Sequence, residues 1–72
     1  MHISYNKLWK LLIDQQMSKS ELRKKAKLAT GTMTKLVKDN DVSLDVIKRI
    51  CCICKCNIGD IMDILPDENE FQ

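Results

Sequence analysis

Two short helices with capping signals, separated by only a few residues, dominate the first half of this chain. Ser18 can cap the first helix, with Glu21 three residues later, and Met17 and Leu22 occupy the flanking positions of a hydrophobic staple. The helical pattern breaks after Ala26 and resumes a few residues further on. Two capped helices joined by so short a turn predict a helix-turn-helix.

The second helix of the pair has two different faces. Its apolar residues recur at i, i+3 and i+4 and predict a buried face of Met33, Leu36 and Val37. The opposite face is short, hydroxylated and basic, without a carboxylate: Thr30, Gly31, Thr34, Lys35 and Lys38. Lysine can donate to guanine, threonine can bond a base edge or touch a thymine methyl, and glycine permits close backbone approach. This face therefore suits the major groove of DNA.

The length and composition restrict the fold. A chain of 72 residues makes one domain, near the size at which a single core is only marginally sufficient. Apolar β-branched residues do not alternate with polar ones over any stretch of strand length, and the chain has only two glycines and one proline. We therefore expect an all-α fold without a sheet.

Charge is divided unevenly along the chain. Residues 1–38 carry nine Lys and Arg against two acidic residues, whereas residues 39–72 carry three against eight. An ordinary solvated surface could produce such a split. Its coincidence with the basic helix face favours a protein that presents one side to DNA.

The same periodicity predicts helices in the remainder of the chain. Helix one has an inward stripe of Tyr5, Leu8, Trp9 and Leu12, and Trp9 is expected in the core. Helix four, capped by Ser43, has an apolar arc that covers about half its circumference, and its edge is free for helix five or a second subunit. Helix five begins at the Asn57 cap and buries Ile58, Ile61, Met62 and Leu65. We expect a compact five-helix bundle in a single domain over residues 1–72, with helices at about 5–16, 18–26, 30–38, 43–54 and 57–65 and an acidic tail at 66–72.

The cysteine cluster at residues 51–56 is the main competitor for a chemical function. On one continuous helix its thiols cannot converge on a metal, since Cys52 falls on the polar side. We expect Cys51, Cys54 and Cys56 to pack in the core and Cys52 to be an exposed thiol. No cofactor is expected, and metal or redox sensing stays open as an alternative.

Other function classes find little support in the sequence. His2 is the one histidine, and neither an acid–base pair nor a glycine-rich phosphate loop can be assembled, so we expect no enzyme activity. The apolar stretch around Trp9 is short and interrupted by Lys10, which predicts neither a signal peptide nor a membrane span and favours the cytosol.

With the helices placed, residues 7–65 resemble the Cro and phage-repressor (Xre-like) helix-turn-helix domains, especially the small stand-alone bacterial members. Four runs carry the resemblance, in the order that group uses for helices two to five: M-S-K-S-E-L-R-K-K-A, T-G-T-M-T-K-L, V-S-L-D-V-I-K-R-I-C and C-N-I-G-D-I-M-D-I. The resemblance implies a lambda-repressor-like domain that binds operator DNA as a transcriptional regulator, with helix three in the major groove.

The resemblance also implies roles for individual residues. Bases would be contacted by Thr30, Gly31, Thr34 and Lys35. Phosphates would be contacted by Ser18, Lys19, Lys38 and Asn40.

Two positions depart from the family pattern. Lys27 stands where the family usually has a turn glycine, so either Lys27 takes the left-handed conformation or the turn differs. Ala29 replaces the usual serine cap, which leaves Thr30 to cap helix three and would turn its hydroxyl towards the backbone.

The leading hypothesis is therefore a regulator that binds double-stranded DNA, with a homodimer on two half-sites as one arrangement. The alternative is a protein-interaction module of the antitoxin or anti-repressor type, which would use the apolar edge of helix four and the acidic tail. Nothing in the sequence indicates a small-molecule substrate.

Overall fold

The computed structural model describes residues 1–67, and most of this part of the chain is helical. Its four α-helices are Asn6–Asp14 (α1), Lys19–Lys25 (α2), Thr30–Val37 (α3) and Leu44–Cys54 (α4). Two three-residue strands, His2–Ser4 (β1) and Asp63–Leu65 (β2), flank the helices, and a single 3-10 turn over Ile58–Asp60 precedes β2. The first four predicted helices are present, each slightly shorter than expected.

The predicted absence of a sheet is wrong. β1 and β2 pair as an antiparallel two-stranded sheet, with Ile3 opposite Ile64. Strands of three residues are too short for a visible alternation of apolar and polar residues. Their pairing also joins the two ends of the described chain, and a local pattern carries no information about so distant a partner.

The predicted helix five over residues 57–65 is also wrong. Its start forms as expected, since the Asp60 carboxylate accepts a hydrogen bond from the backbone N–H of Asn57 at 3.0 Å. The helix stops after one turn because the following residues pair with β1 instead. Ile61 is fully buried as predicted, whereas Ile58 and Leu65 are exposed. Residues 68–72 of the predicted acidic tail lie outside the described residues.

Serine caps fix the starts of α2 and α4, as predicted. The Ser18 hydroxyl oxygen accepts a hydrogen bond from the N–H of Glu21 at 3.1 Å, and the Glu21 carboxylate accepts one from the N–H of Ser18 at 3.4 Å. Ser43 accepts from the N–H of Val46 at 3.3 Å. These bonds satisfy backbone donors that would otherwise have no partner within the helix.

Each of the four described α-helices ends at a residue in the left-handed conformation, and none of these residues is glycine. They are Gln16, Lys27, Asp39 and Lys55, with φ between 55° and 57°. Behind each of them a backbone hydrogen bond closes the helix end, such as the bond from the N–H of Leu28 to the carbonyl oxygen of Arg23 at 2.9 Å. This is the Schellman arrangement, which usually has glycine at the left-handed position.

One hydrophobic core joins all four helices. It contains Tyr5, Leu8, Leu12, Leu22, Ala26, Leu28, Met33, Leu36, Ile47, Ile50, Cys54 and Ile61. Trp9 lies at its edge and is half-buried, so the expectation of a core tryptophan holds only in part.

The apolar faces of α3 and α4 each contain one exposed residue. Val37 was expected to face inward but is 53% exposed, because Met33 and Leu36 fill the buried arc of α3 and Val37 lies about 40° further round the helix. The wide apolar arc of α4 is mostly covered by the core, and Leu44 at its start remains 68% exposed.

Candidate nucleic-acid interface

A surface groove of about 340 Å³ runs between α2 and α3. α2 contributes Lys19, Ser20 and Arg23, and α3 contributes Thr30, Met33, Thr34, Val37 and Lys38. Among these lining residues three are cations, three carry hydroxyls and none is acidic. The groove therefore offers positive charge and hydrogen-bond donors on one surface, which is what contact with a nucleic-acid backbone requires.

Half of the eight residues expected to contact DNA line this groove. They are Lys19, Thr30, Thr34 and Lys38. Gly31 and Lys35 lie on the exposed side of α3, and a Cβ placed on Gly31 would meet nothing within 4 Å. Ser18 and Asn40 are exposed just before α2 and just after α3. The structure thus places the four expected base contacts on the exposed side of α3, and the four expected phosphate contacts at the start of α2 and just after α3.

The start of α3 differs from the expectation that Thr30 is its cap. Ala29 is the N-cap residue, with φ −70° and ψ 154°, and Thr30 is the first helical residue. The Thr30 hydroxyl therefore does not cap the helix. The backbone carbonyl oxygen of Thr30 accepts a hydrogen bond from the Thr34 hydroxyl at 3.1 Å. This bond uses the hydroxyl proton of Thr34 and leaves its oxygen to accept and its methyl group to make apolar contacts.

Sequence reasoning missed four residues of the groove: Ser20, Arg23, Met33 and Val37. Arg23 lies four residues after Lys19, so helical spacing alone puts both cations on the same face of α2. Val37 had been assigned to the core, although it lies beside Thr30 on the helical wheel. Its exposed methyl groups give the groove an apolar element that can touch a thymine methyl.

The turn before α3 is tied to α4. Lys27 takes the left-handed conformation with φ 55°, which confirms the first of the two expectations for this position. The Arg49 guanidinium donates a hydrogen bond from Nη1 to the Lys27 carbonyl oxygen at 3.3 Å and pairs through Nη2 with Asp45 at 2.9 Å. Since the bond reaches the backbone of the turn, it connects the orientation of α2 and α3 to α4.

The far end of α3 is tied to the beginning of α1. The Tyr5 hydroxyl donates to the Asn40 carbonyl oxygen at 2.9 Å, and the Tyr5 N–H donates to the Asp39 carboxylate at 3.0 Å. Burial raises the pKa of Tyr5, and the negative charges of Asp41 and Asp39 raise it further. The phenol therefore remains protonated as a donor well above neutral pH, and α3 is held at both ends by side chains from outside the helix pair.

The cysteines lie apart from this groove and pack as predicted. Cys54 is buried, Cys51 and Cys56 are partly buried against the core, and Cys52 is exposed. Burial is the main cause that raises the pKa of Cys56 to about 11, and it also raises the pKa of Cys54. Because the thiolate is the reactive form, both thiols are poor nucleophiles at neutral pH.

Residues 1–67 contain neither a metal-binding cluster nor a membrane-spanning helix. In this part of the chain, no three His, Cys, Asp or Glu side chains converge in a group that could hold a metal ion. None of the helices described here is long and apolar enough to cross a membrane.

Two helices joined by a short turn, the second with an exposed basic and hydroxylated side, define a helix-turn-helix DNA-binding domain. Residues 7–67 match the model of the Cro/C1-type helix-turn-helix DNA-binding domain, and the chain belongs to this family. This confirms the resemblance to Cro and the phage repressors.

Comparison with solved structures gives a similar fold at substantial sequence identity. The crystal structure of the transcriptional regulator VanUg, form II, is 48% identical and superposes with a TM-score of 0.89, over 92% of this chain and 88% of that one. No curated protein sequence matches this chain.

Proposed function

We propose that this chain is a sequence-specific transcriptional regulator that binds double-stranded DNA by inserting α3 into the major groove. The observation that carries this proposal is the exposed side of α3, where hydroxyl groups, a glycine and lysines lie beside a groove lined by cations. The family of the chain and the similar fold of a transcriptional regulator support it.

The residues divide into those that read bases and those that hold phosphates. Base edges are contacted by Thr30, Gly31, Thr34 and Lys35, with Val37 as an apolar neighbour for thymine. Phosphates are contacted by Ser18, Lys19, Lys38 and Asn40, with Arg23 as a further cation in the same groove. The first group determines sequence preference, and the second fixes register and supplies most of the salt-dependent affinity.

The functional unit is a single domain over residues 1–72, which acts as a homodimer in the cytosol, where duplex DNA is accessible. Two copies related by a twofold axis present two α3 helices to successive turns of the major groove. The exposed side of α3 and the cations of the groove, which belong to the basic residues 1–38, then face the DNA.

Selection of bound fragments from random duplex DNA tests this proposal. We expect enrichment of one pseudo-palindromic sequence, with half-sites separated by about one helical turn. Enrichment of a single half-site would show binding as a monomer. A pool without sequence preference would contradict the proposed function.

The same selection with substituted protein tests the assignment of α3. Lys35→Ala should retain the half-site spacing and lose preference at one base pair of each half-site, because one donor to a base edge is removed. Lys48→Ala removes an equivalent exposed lysine from α4 and should select the wild-type sequence unchanged.

A protein-interaction module is the second candidate, and the exposed Leu44 on α4 is the observation that favours it. A stable complex with another protein, disrupted by Leu44→Lys, together with the absence of salt-sensitive DNA binding would establish this function instead.

A further inference from the structure

A cation–π contact joins the two helices that precede α3. The ammonium nitrogen of Lys19, the first residue of α2, lies 4.6 Å from the centroid of the Trp9 ring on α1. Trp9 is half-buried and packs against the core, so its ring is fixed on one side and meets the lysine on the other. The contact therefore places a mobile lysine head group against a fixed surface.

Lys19 also belongs to the groove between α2 and α3. It lines the α2 side of this groove together with Arg23, and Thr30, Thr34 and Lys38 line the α3 side. An exposed lysine normally samples many rotamers, and binding a phosphate must restrict them. Holding the ammonium group beforehand reduces this cost.

An aromatic ring is well suited to this task because it leaves the positive charge available. Lys7 on α1 shows the contrast, since its ammonium group pairs with the Asp63 carboxylate at 3.0 Å. Among the ion pairs of residues 1–67 none includes Lys19. The ring attracts the ammonium through its quadrupole without neutralising it, so its N–H donors can still reach a phosphate oxygen.

We propose that Trp9 is a positioning residue that holds the Lys19 ammonium group at the mouth of the groove for a phosphate of duplex DNA. This inference rests on the proposed function. Trp9 itself does not touch DNA, and its effect on affinity passes through Lys19.

A double-mutant cycle on DNA affinity tests the coupling. The probe is a mixed-sequence duplex of about two helical turns at low salt, because phosphate contacts do not depend on sequence. Trp9→Leu should weaken binding about threefold, and in the Lys19→Ala background it should have no further effect. Trp9→Phe, which keeps an aromatic face, and Lys19→Arg, which also stacks on a ring, should retain most of the affinity.

Lys10→Ala is the matched control, since Lys10 is an exposed cation next to Trp9 in the sequence and does not line the groove. Trp9→Leu should weaken binding about threefold in this background as well. An equal loss in the Lys19→Ala and Lys10→Ala backgrounds would mean that Trp9 acts only through helix packing, and it would overturn the inference.

Fluorescence provides a second measurement on the unsubstituted ring, which matters if Trp9→Leu does not fold. Trp9 is the one tryptophan of the chain, so the tryptophan emission reports on the surroundings of this ring. Adding duplex DNA should change the emission of the wild type as a phosphate approaches the Lys19 ammonium group held over the ring, and should leave that of Lys19→Ala unchanged. Identical changes in both proteins would overturn the role of Trp9. Failure of the wild type to bind duplex DNA at low salt would overturn the proposed function and this inference together.

Discussion

Lys27 occupies a left-handed position in the helix-turn-helix, where glycine would carry the least conformational strain. Its left-handed backbone places the Cβ atom close to its own carbonyl group, a conformation that is unfavourable for any residue other than glycine. The turn nevertheless forms, because the helix end is closed by backbone hydrogen bonds and the Lys27 carbonyl accepts a bond from Arg49. The sequence therefore carries strain at the turn that the surrounding structure offsets.

Replacing Lys27 with glycine should raise the free energy of unfolding by about 0.5 to 1 kcal/mol, because the strain is relieved and part of the gain is offset by greater freedom of the unfolded chain. Urea denaturation followed by circular dichroism measures the change. Lys24→Gly, inside α2, is the control and should lower the free energy of unfolding by about 1 kcal/mol. If both substitutions destabilise equally, the left-handed turn is wrong.

Tyr5 is the second residue whose role can be measured separately. Tyr5→Phe keeps the buried ring and removes the hydrogen bond to the Asn40 carbonyl oxygen, which should lower the free energy of unfolding by about 1 kcal/mol at neutral pH.

The difference between wild type and Tyr5→Phe should depend on pH. The folded protein raises the pKa of Tyr5 above its ordinary value of 10.0. The contribution of the protonated phenol is therefore complete below pH 10 and declines as the pH rises towards the folded-state pKa. Denaturation of both proteins from neutral pH to above pH 10 measures this, and a constant difference across the range would contradict the assignment.

Among the helices, the two starts capped by serine are predictable from the local sequence, whereas the extent of the last predicted helix is not. The capping residues Ser18 and Ser43 act on backbone groups two or three positions away, so the local sequence is sufficient to locate them. The Asn57 start was equally correct, but the helix predicted after it competes with a strand partner at the other end of the described chain. The outcome depends on tertiary structure and cannot be predicted from the neighbouring residues in the sequence.

Part of the candidate site could be predicted from the sequence. The exposed side of α3 follows from helical periodicity and from the residue types at Thr30, Thr34 and Lys35. The sequence did not predict that Val37 is exposed. Helical periodicity groups apolar residues on one face, but how many of them are buried depends on the neighbouring helices. Arg23 lies one helical turn after Lys19, so its face of α2 could be predicted, but that this face forms one groove with α3 is visible only in the tertiary structure.

α3 begins at Ala29 without a side-chain hydrogen bond to cap it. The Ala29 side chain cannot accept a hydrogen bond from the backbone N–H groups of the first turn, so Ala29→Ser should raise the free energy of unfolding by about 0.5 to 1 kcal/mol. Ser43→Ala on α4 is the reverse experiment and should lower it by about 1 kcal/mol. Thermal denaturation of the two variants measures both changes. No gain from Ala29→Ser would indicate that another residue caps α3.

In the whole molecule, the residues that hold α3 in place differ from the residues of the candidate DNA-binding surface. The sheet of β1 and β2 joins the ends of the described chain. Arg49 of α4 bonds to the turn before α3, and Tyr5, just before α1, bonds to the segment after α3. The cationic groove and the exposed side of α3 come from residues 1–38, the basic part of the chain. We propose that this one side of the molecule binds DNA.

The salt dependence of duplex binding tests this claim most directly. Affinity for a selected duplex should fall steeply with salt, and Lys38→Ala should reduce the slope of log affinity against log salt by about one, since one phosphate contact is lost. Lys48→Ala, on α4, should leave the slope unchanged. An equal slope for the wild type and both variants would contradict the assignment of α3 and its groove as the DNA-binding surface.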